Sequence, residues 1–210
     1  MKIKILTAAL GLALTVGAFN ANAQKVYTTG VVSFPTELRG QPADAKLYFT
    51  PDSSSTVITF GPGTVKLLTD AKHDYYAVVL DIPVAGIKKA GLMSPSELED
   101  ATAQFPTFTF TPSTETKVIS GFNCTKTVAK DNKSGKTYDI WITNDVKLPP
   151  TAIPFYYKSI GGFPIEYTSF YQGEEQTITV KSITDEKAPA GTFGIASDFE
   201  KGTMADLMQQ

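Results

Sequence analysis

Three features of the sequence predict a mainly β, antiparallel protein. Thr, Val, Ile, Tyr and Phe recur in short runs that alternate with polar residues, the pattern of strands with one face turned inward. Gly, Pro, Asp and Ser break those runs at short intervals, as turns do. Helix signals are few and short. The elements below are taken in chain order.

Residues 1–23 read as a cleavable export signal. Lys2 and Lys4 form a positive start, an apolar run covers residues 5–19, and Ala21-Asn22-Ala23 fits a small-x-small cleavage site. The run is shorter than the roughly 20 apolar residues of a spanning helix. Cleavage before Gln24 would release residues 24–210 as one β-rich domain, periplasmic or secreted, with no transmembrane segment. No cysteine stands at the cleavage site, so no lipid anchor is expected there.

Strands are expected at residues 26–34, 45–49, 56–60, 64–69 and 75–80, with polar turns at 52–55 and 70–74 and a tight connection at Gly61-Pro62-Gly63. Ser94-Pro95-Ser96-Glu97 places a cap serine, a first-turn proline and a glutamate three residues on, which predicts a helix over residues 95–103. Next come two strand-like runs, 117–130 and 136–145, joined by the loop 131–135. Gly121 within the first suggests a bulge. On the second, Tyr138, Ile140 and Ile142 share one face while Asp139, Trp141 and Thr143 share the other. A further hairpin joins 162–171 to 176–183, and Thr203-Met204-Ala205-Asp206 resembles a weaker cap for a final helical turn.

Composition excludes several classes of function. A net charge of −2 offers neither a basic stripe for nucleic acid nor a polybasic patch for an anionic membrane. Cys124 is the only cysteine, so no intramolecular disulfide forms; its alternating apolar context reads as a small buried hydrophobe, with a reactive or intermolecular thiol as the alternative. One histidine, His73, sits in a charged turn and reads as a solvated loop residue. One His and one Cys cannot assemble a zinc site, so neither metal nor cofactor is expected. Asp139, Asp145, Glu166, Glu174 and Glu175 are candidates for a carboxylate-based hydrolase, although acids on the wet side of a strand are ordinary. No catalytic residue stands out. The aromatic segment Ile153-Pro154-Phe155-Tyr156-Tyr157 and the Gly161-Gly162-Phe163-Pro164 that follows either line a pocket mouth or plug the end of the core.

Thr116-Lys117-Val118-Ile119-Ser120-Gly121-Phe122-Asn123-Cys124-Thr125-Lys126 resembles the TK-I-GY-C-K signature of an uncharacterised family of exported Gram-negative proteins, known as a domain of unknown function. Ile140-Trp141-Ile142-Thr143 resembles its vW-T strand and Gly161-Gly162-Phe163-Pro164-Ile165-Glu166 its l-G-P-le element. Phe193 to Phe199 is similar to the closing F-IP-Y segment, with Ala196 where proline is expected. The resemblance spans residues 109–208 and is loose before them. It implies a curved antiparallel sheet of the LolA/LolB lipoprotein-carrier group, an incomplete β-barrel around an apolar concavity with one or two short helices, and no catalytic residues. The function expected is that of a periplasmic binding or carrier protein for a lipid-like or other apolar small molecule. Trp141, Tyr156 and Phe163 are the candidate ligand-lining residues. The alternative is a cell-envelope interaction module with a filled core and an envelope protein as partner.

Overall fold

The computed structural model describes residues 24–38, 40–171 and 173–208; the segment read as an export signal lies outside them. The chain is mainly β, with curved antiparallel sheets that do not close into a barrel and two short helices. Six consecutive strands build most of the larger sheet: β2 (Gly30–Leu38), β3 (Gln41–Phe49), β4 (Ser53–Phe60), β5 (Gly63–Asp70), β6 (Tyr76–Ile82) and β7 (Ile87–Leu92). Before them, β1 (Lys25–Val26) pairs in parallel with β11 (Val146–Lys147). Helix α1 (Pro95–Gln104) leads to the smaller sheet, which holds β8 (Phe108–Ile119), β9 (Phe122–Asp131), β10 (Thr137–Thr143), β12 (Phe163–Tyr171) and β13 (Glu174–Thr179). The chain then returns to the larger sheet through β14 (Ser182–Thr184) and β15 (Glu200–Thr203), and ends in α2 (Met204–Met208).

The larger sheet has eight strands in the order β14-β2-β3-β4-β5-β6-β7-β15, and the smaller has five in the order β13-β12-β10-β9-β8. The run expected as one strand at 176–183 in fact changes sheets. The Val180 amide donates to Ile165 O in the smaller sheet, and the next amide, Lys181, donates to Ser33 O in the larger. Between the sheets lies the first core cluster, where Val32 and Phe49 meet Cys124, Phe163, Ile165 and Val180, all buried. On the opposite side of the smaller sheet a second cluster packs Ala129, Ile140 and Ile142 under Tyr157 and Ile160. The two faces read from β10 therefore both meet protein.

Local chemistry explains most element ends. At α1 the Ser94 side chain accepts from the Glu97 amide while the Glu97 carboxylate accepts from the Ser94 amide at 2.7 Å, the reciprocal cap expected. At α2 the Asp206 carboxylate accepts from the Thr203 amide at 2.8 Å in the same manner.

Two expectations are corrected. Residues 117–130 are two strands, not one with a bulge. Ser120 (φ 51°) and Gly121 (φ 85°) both adopt the left-handed region that a tight two-residue hairpin turn requires, and they join β8 to β9. Ser53, Ser54 and Ser55 open β4 rather than forming a turn, with Ser54 and Ser55 buried against β3 and β5. The turn lies just ahead, where Thr50 Oγ1 accepts from the Asp52 and Ser53 amides.

Candidate functional site

Residues directly opposite one another on antiparallel strands share a face of the sheet. Across β4, β5 and β6 the register aligns Ile58, Val65 and Leu80 in one row and Thr56, Leu67 and Val78 in the next. Val65 and Val78 are buried and Ile58, Leu67 and Leu80 half-buried, yet none of these five belongs to a packed core cluster among the described residues. This face is apolar along both rows.

Its two sides are walled. Toward β2 and β3, Phe34 and Leu47 pack against the cluster between the sheets. Toward β7, α2 lies across the strand. A side chain at Gly91 would start 3.1 Å from both Leu207 Cβ and Met204 Sδ. The result is an apolar trough, three strands across its floor, or roughly 10–15 Å at the usual strand spacing.

The other face of the same strands is covered. Residues 185–199 run over it as a strap from β14 at one edge to β15 at the other. Lys66 Nζ on β5 donates to Gly191 O and Gly194 O, both at 3.0 Å, which pins the strap's middle. Lys46–Glu186 at 3.5 Å and Lys88–Asp198 at 2.6 Å hold its flanks. Ile195 and Phe199 complete a third cluster with Leu68, Ala77, Val79 and Ala90. Beneath the strap a shallow depression of about 220 Å³ opens between Tyr48, Lys66 and Pro189. Another, of about 30 Å³, lies beside Lys89 and Leu207.

The structure does not bring Trp141, Tyr156 and Phe163 to one cavity. Phe163 is 4% exposed, inside the cluster between the sheets. Trp141 packs against that same cluster, and Lys117 Nζ sits 4.2 Å from its ring centroid while bridging to Glu166 at 2.8 Å. Tyr156 belongs to the opposite side of the smaller sheet. It stacks on Phe105 at 5.5 Å and meets Phe155, Tyr157 and Phe170 edge-on.

His73 differs from its expected solvated state. It is half-buried, with its ring 5.9 Å from Phe155 and Nε2 buried without a hydrogen-bond partner. Burial, reinforced by the Lys158 charge, lowers its pKa and favours the neutral imidazole. Cys124 is buried, and desolvation pushes its thiol up to about 11. Three of the candidate acids are held by side-chain partners: Glu166 by Lys117, Asp139 by Lys126 at 3.4 Å, and Glu175 by Lys136 at 2.6 Å and by the Tyr138 hydroxyl at 2.7 Å. Asp145 accepts from the Asn123 amide at 2.7 Å. Among the described residues no group of three or more His, Cys, Asp or Glu gathers as a metal site would require.

The fold and site thus define an antiparallel β protein with one strapped sheet face and one apolar trough. The chain matches no protein-family model and no curated protein. It is similar to solved structures of PNGF-II in two crystal forms, C2 and P21, with TM-scores of 0.45 and 0.38 and 14% identity over 86% of this chain. It spans only 32% of the length of those chains.

Proposed function

We propose that this chain is a non-catalytic binding or carrier protein of the bacterial envelope that holds an extended apolar chain in the trough of its larger sheet. The observation that carries the reading is the pair of apolar rows Ile58-Val65-Leu80 and Thr56-Leu67-Val78, walled on both sides and belonging to no packed cluster among the described residues. The export signal at residues 1–23 belongs to the same proposal, since a carrier of acyl chains is needed where lipids must cross water.

Binding rests on removing apolar surface from water, worth about 0.8 kcal/mol per fully buried methylene. An open trough buries each methylene only in part. Affinity therefore grows with chain length and depends little on the headgroup.

The test is uptake of a fluorescent fatty acid by residues 24–210. Leu67→Lys places a charge on the trough floor and should weaken uptake at least tenfold. Val118→Lys alters a side chain that is 69% exposed on β8 and should leave uptake unchanged. Equal uptake by both variants, or none by the parent chain, would contradict the reading.

A second reading, an envelope interaction module, is favoured by the packed clusters and by depressions of about 220 and 30 Å³. These lie below the roughly 300 Å³ at which enclosed small-molecule sites begin. In that case the trough would take apolar side chains of an envelope protein instead of a lipid.

A further inference from the structure

We infer that the end of the larger sheet formed by the β4–β5 and β6–β7 hairpin turns is a contact for a lipid surface. This rests on the carrier reading in one respect: the trough opens at this end. Because β2 to β7 are consecutive antiparallel neighbours, their hairpins β2–β3, β4–β5 and β6–β7 all turn at the same end. Phe60-Gly61-Pro62-Gly63 and Ile82-Pro83-Val84-Ala85-Gly86-Ile87 carry no charged residue. Pro62, Pro83, Val84 and Ala85 are exposed, and Val84, at 77%, is the most exposed large hydrophobic residue described.

The trough runs out onto these tips. Phe60 and Ile82 lie two residues beyond Ile58 and Leu80 on the same strands, so they share the apolar face, and Ile87 pairs with Ile82. A side chain at Gly63 would start 2.9 Å from Phe60 Cζ, so the Phe60 ring lies across the turn. Behind the β6–β7 tip, the first charged residues, Asp81 and Lys88, stand opposite each other in register. The other end of the sheet is different: its turns carry Asp52, Asp70, Lys72 and Asp74. At the first end the β4–β5 and β6–β7 turns are uncharged, while the sequence of the β2–β3 turn beside them includes Glu37 and Arg39.

The size of the tip selects its occupant. A stable protein interface takes about 20–30 residues a side, centred on aromatic or arginine anchors. These turns expose four small apolar residues and no exposed aromatic or arginine. A second copy or a folded partner would gain too little from them. A bilayer demands no shape complementarity, and short uncharged turns can enter its interface at shallow depth. A lipid surface is the partner that fits, and the contact is weak and transient, since even a single myristoyl chain binds only marginally.

The test uses residues 24–210 with one added cysteine labelled by an environment-sensitive dye. Cys124 is buried with its thiol pushed up to about 11, so labelling goes to the new site. Val84→Cys reports the apolar tip, Ala85→Cys repeats it should the first variant fold poorly, and Lys72→Cys reports the opposite end. With phosphatidylcholine vesicles carrying nitroxide lipids, dye at 84 or 85 should be quenched at least twofold more than dye at 72, at low and high salt alike. Equal quenching at both ends, or none, would overturn the inference. Fatty-acid uptake measured on the same chains without vesicles separates the two proposals. Uptake without quenching at the tip removes the lipid contact and leaves the trough; tip quenching without uptake does the reverse.

Discussion

Asp131 organises the loop that turns β9 into β10. Its carboxylate accepts from the Ser134 hydroxyl at 2.5 Å and from the Lys133 and Ser134 amides, each at 3.1 Å. The Ser134 hydroxyl first, then these amides, hold its pKa below the ordinary carboxylate value. A depressed folded-state pKa stabilises fully above the unfolded value and is lost as pH falls through the folded one. Asp131→Ala should therefore cost about 1–3 kcal/mol near neutrality, and the cost should shrink below roughly pH 4. Urea unfolding of parent and variant at both pH values checks this. Cys124, 1% exposed, should resist iodoacetamide in the native protein at pH 8 and react once denaturant is added; mass spectrometry reads both. At this scale the alternation around Cys124 was legible, because burial on a strand follows its own neighbours. His73 was not. Its charged turn points to solvent, but the ring is packed by Phe155 from a distant loop, which local pattern cannot show.

Elements whose ends are chemically marked could be read in advance, and those defined by a partner could not. Helix α1 announces itself by Ser94, Pro95 and Glu97, which are neighbours in sequence as well as in space. Strand β7 carries two lysines and a glycine within Ile87-Lys88-Lys89-Ala90-Gly91-Leu92, and gives little local sign of being a strand. Its glycine is explained only by α2, whose Met204 and Leu207 occupy the space a side chain would need. Gly91→Val should displace α2 and destabilise the protein by about 1–3 kcal/mol. Thermal unfolding measures the loss, and faster proteolysis at the C-terminus would report the displaced helix. Ser53, Ser54 and Ser55 misled for the same reason, since only pairing with β3 and β5 makes a strand of such a polar run.

For the molecule as a whole, the strand content and the hairpins after β9 and β12 were legible, and the β8–β9 hairpin and the division into two sheets were not. The chain crosses to the smaller sheet through α1 and returns at one pair of consecutive amides, Val180 and Lys181, that bond to different sheets. The candidate site shifted for a related reason. Trp141, Tyr156 and Phe163 are conspicuous as aromatics, yet they pack on opposite sides of the smaller sheet. The trough is built instead from Ile58, Leu67, Leu80 and their neighbours, ordinary strand residues whose common face exists only once three strands are in register. The strap covers the other face of the same strands.

The central claim, that the trough carries an apolar chain, is tested most directly by native mass spectrometry of the protein purified from cells without detergent. The account predicts a stoichiometric, organic-extractable adduct on the parent chain that is lost in Leu67→Lys. A parent chain that flies at its bare mass, and takes up no fatty acid when offered one, would contradict it.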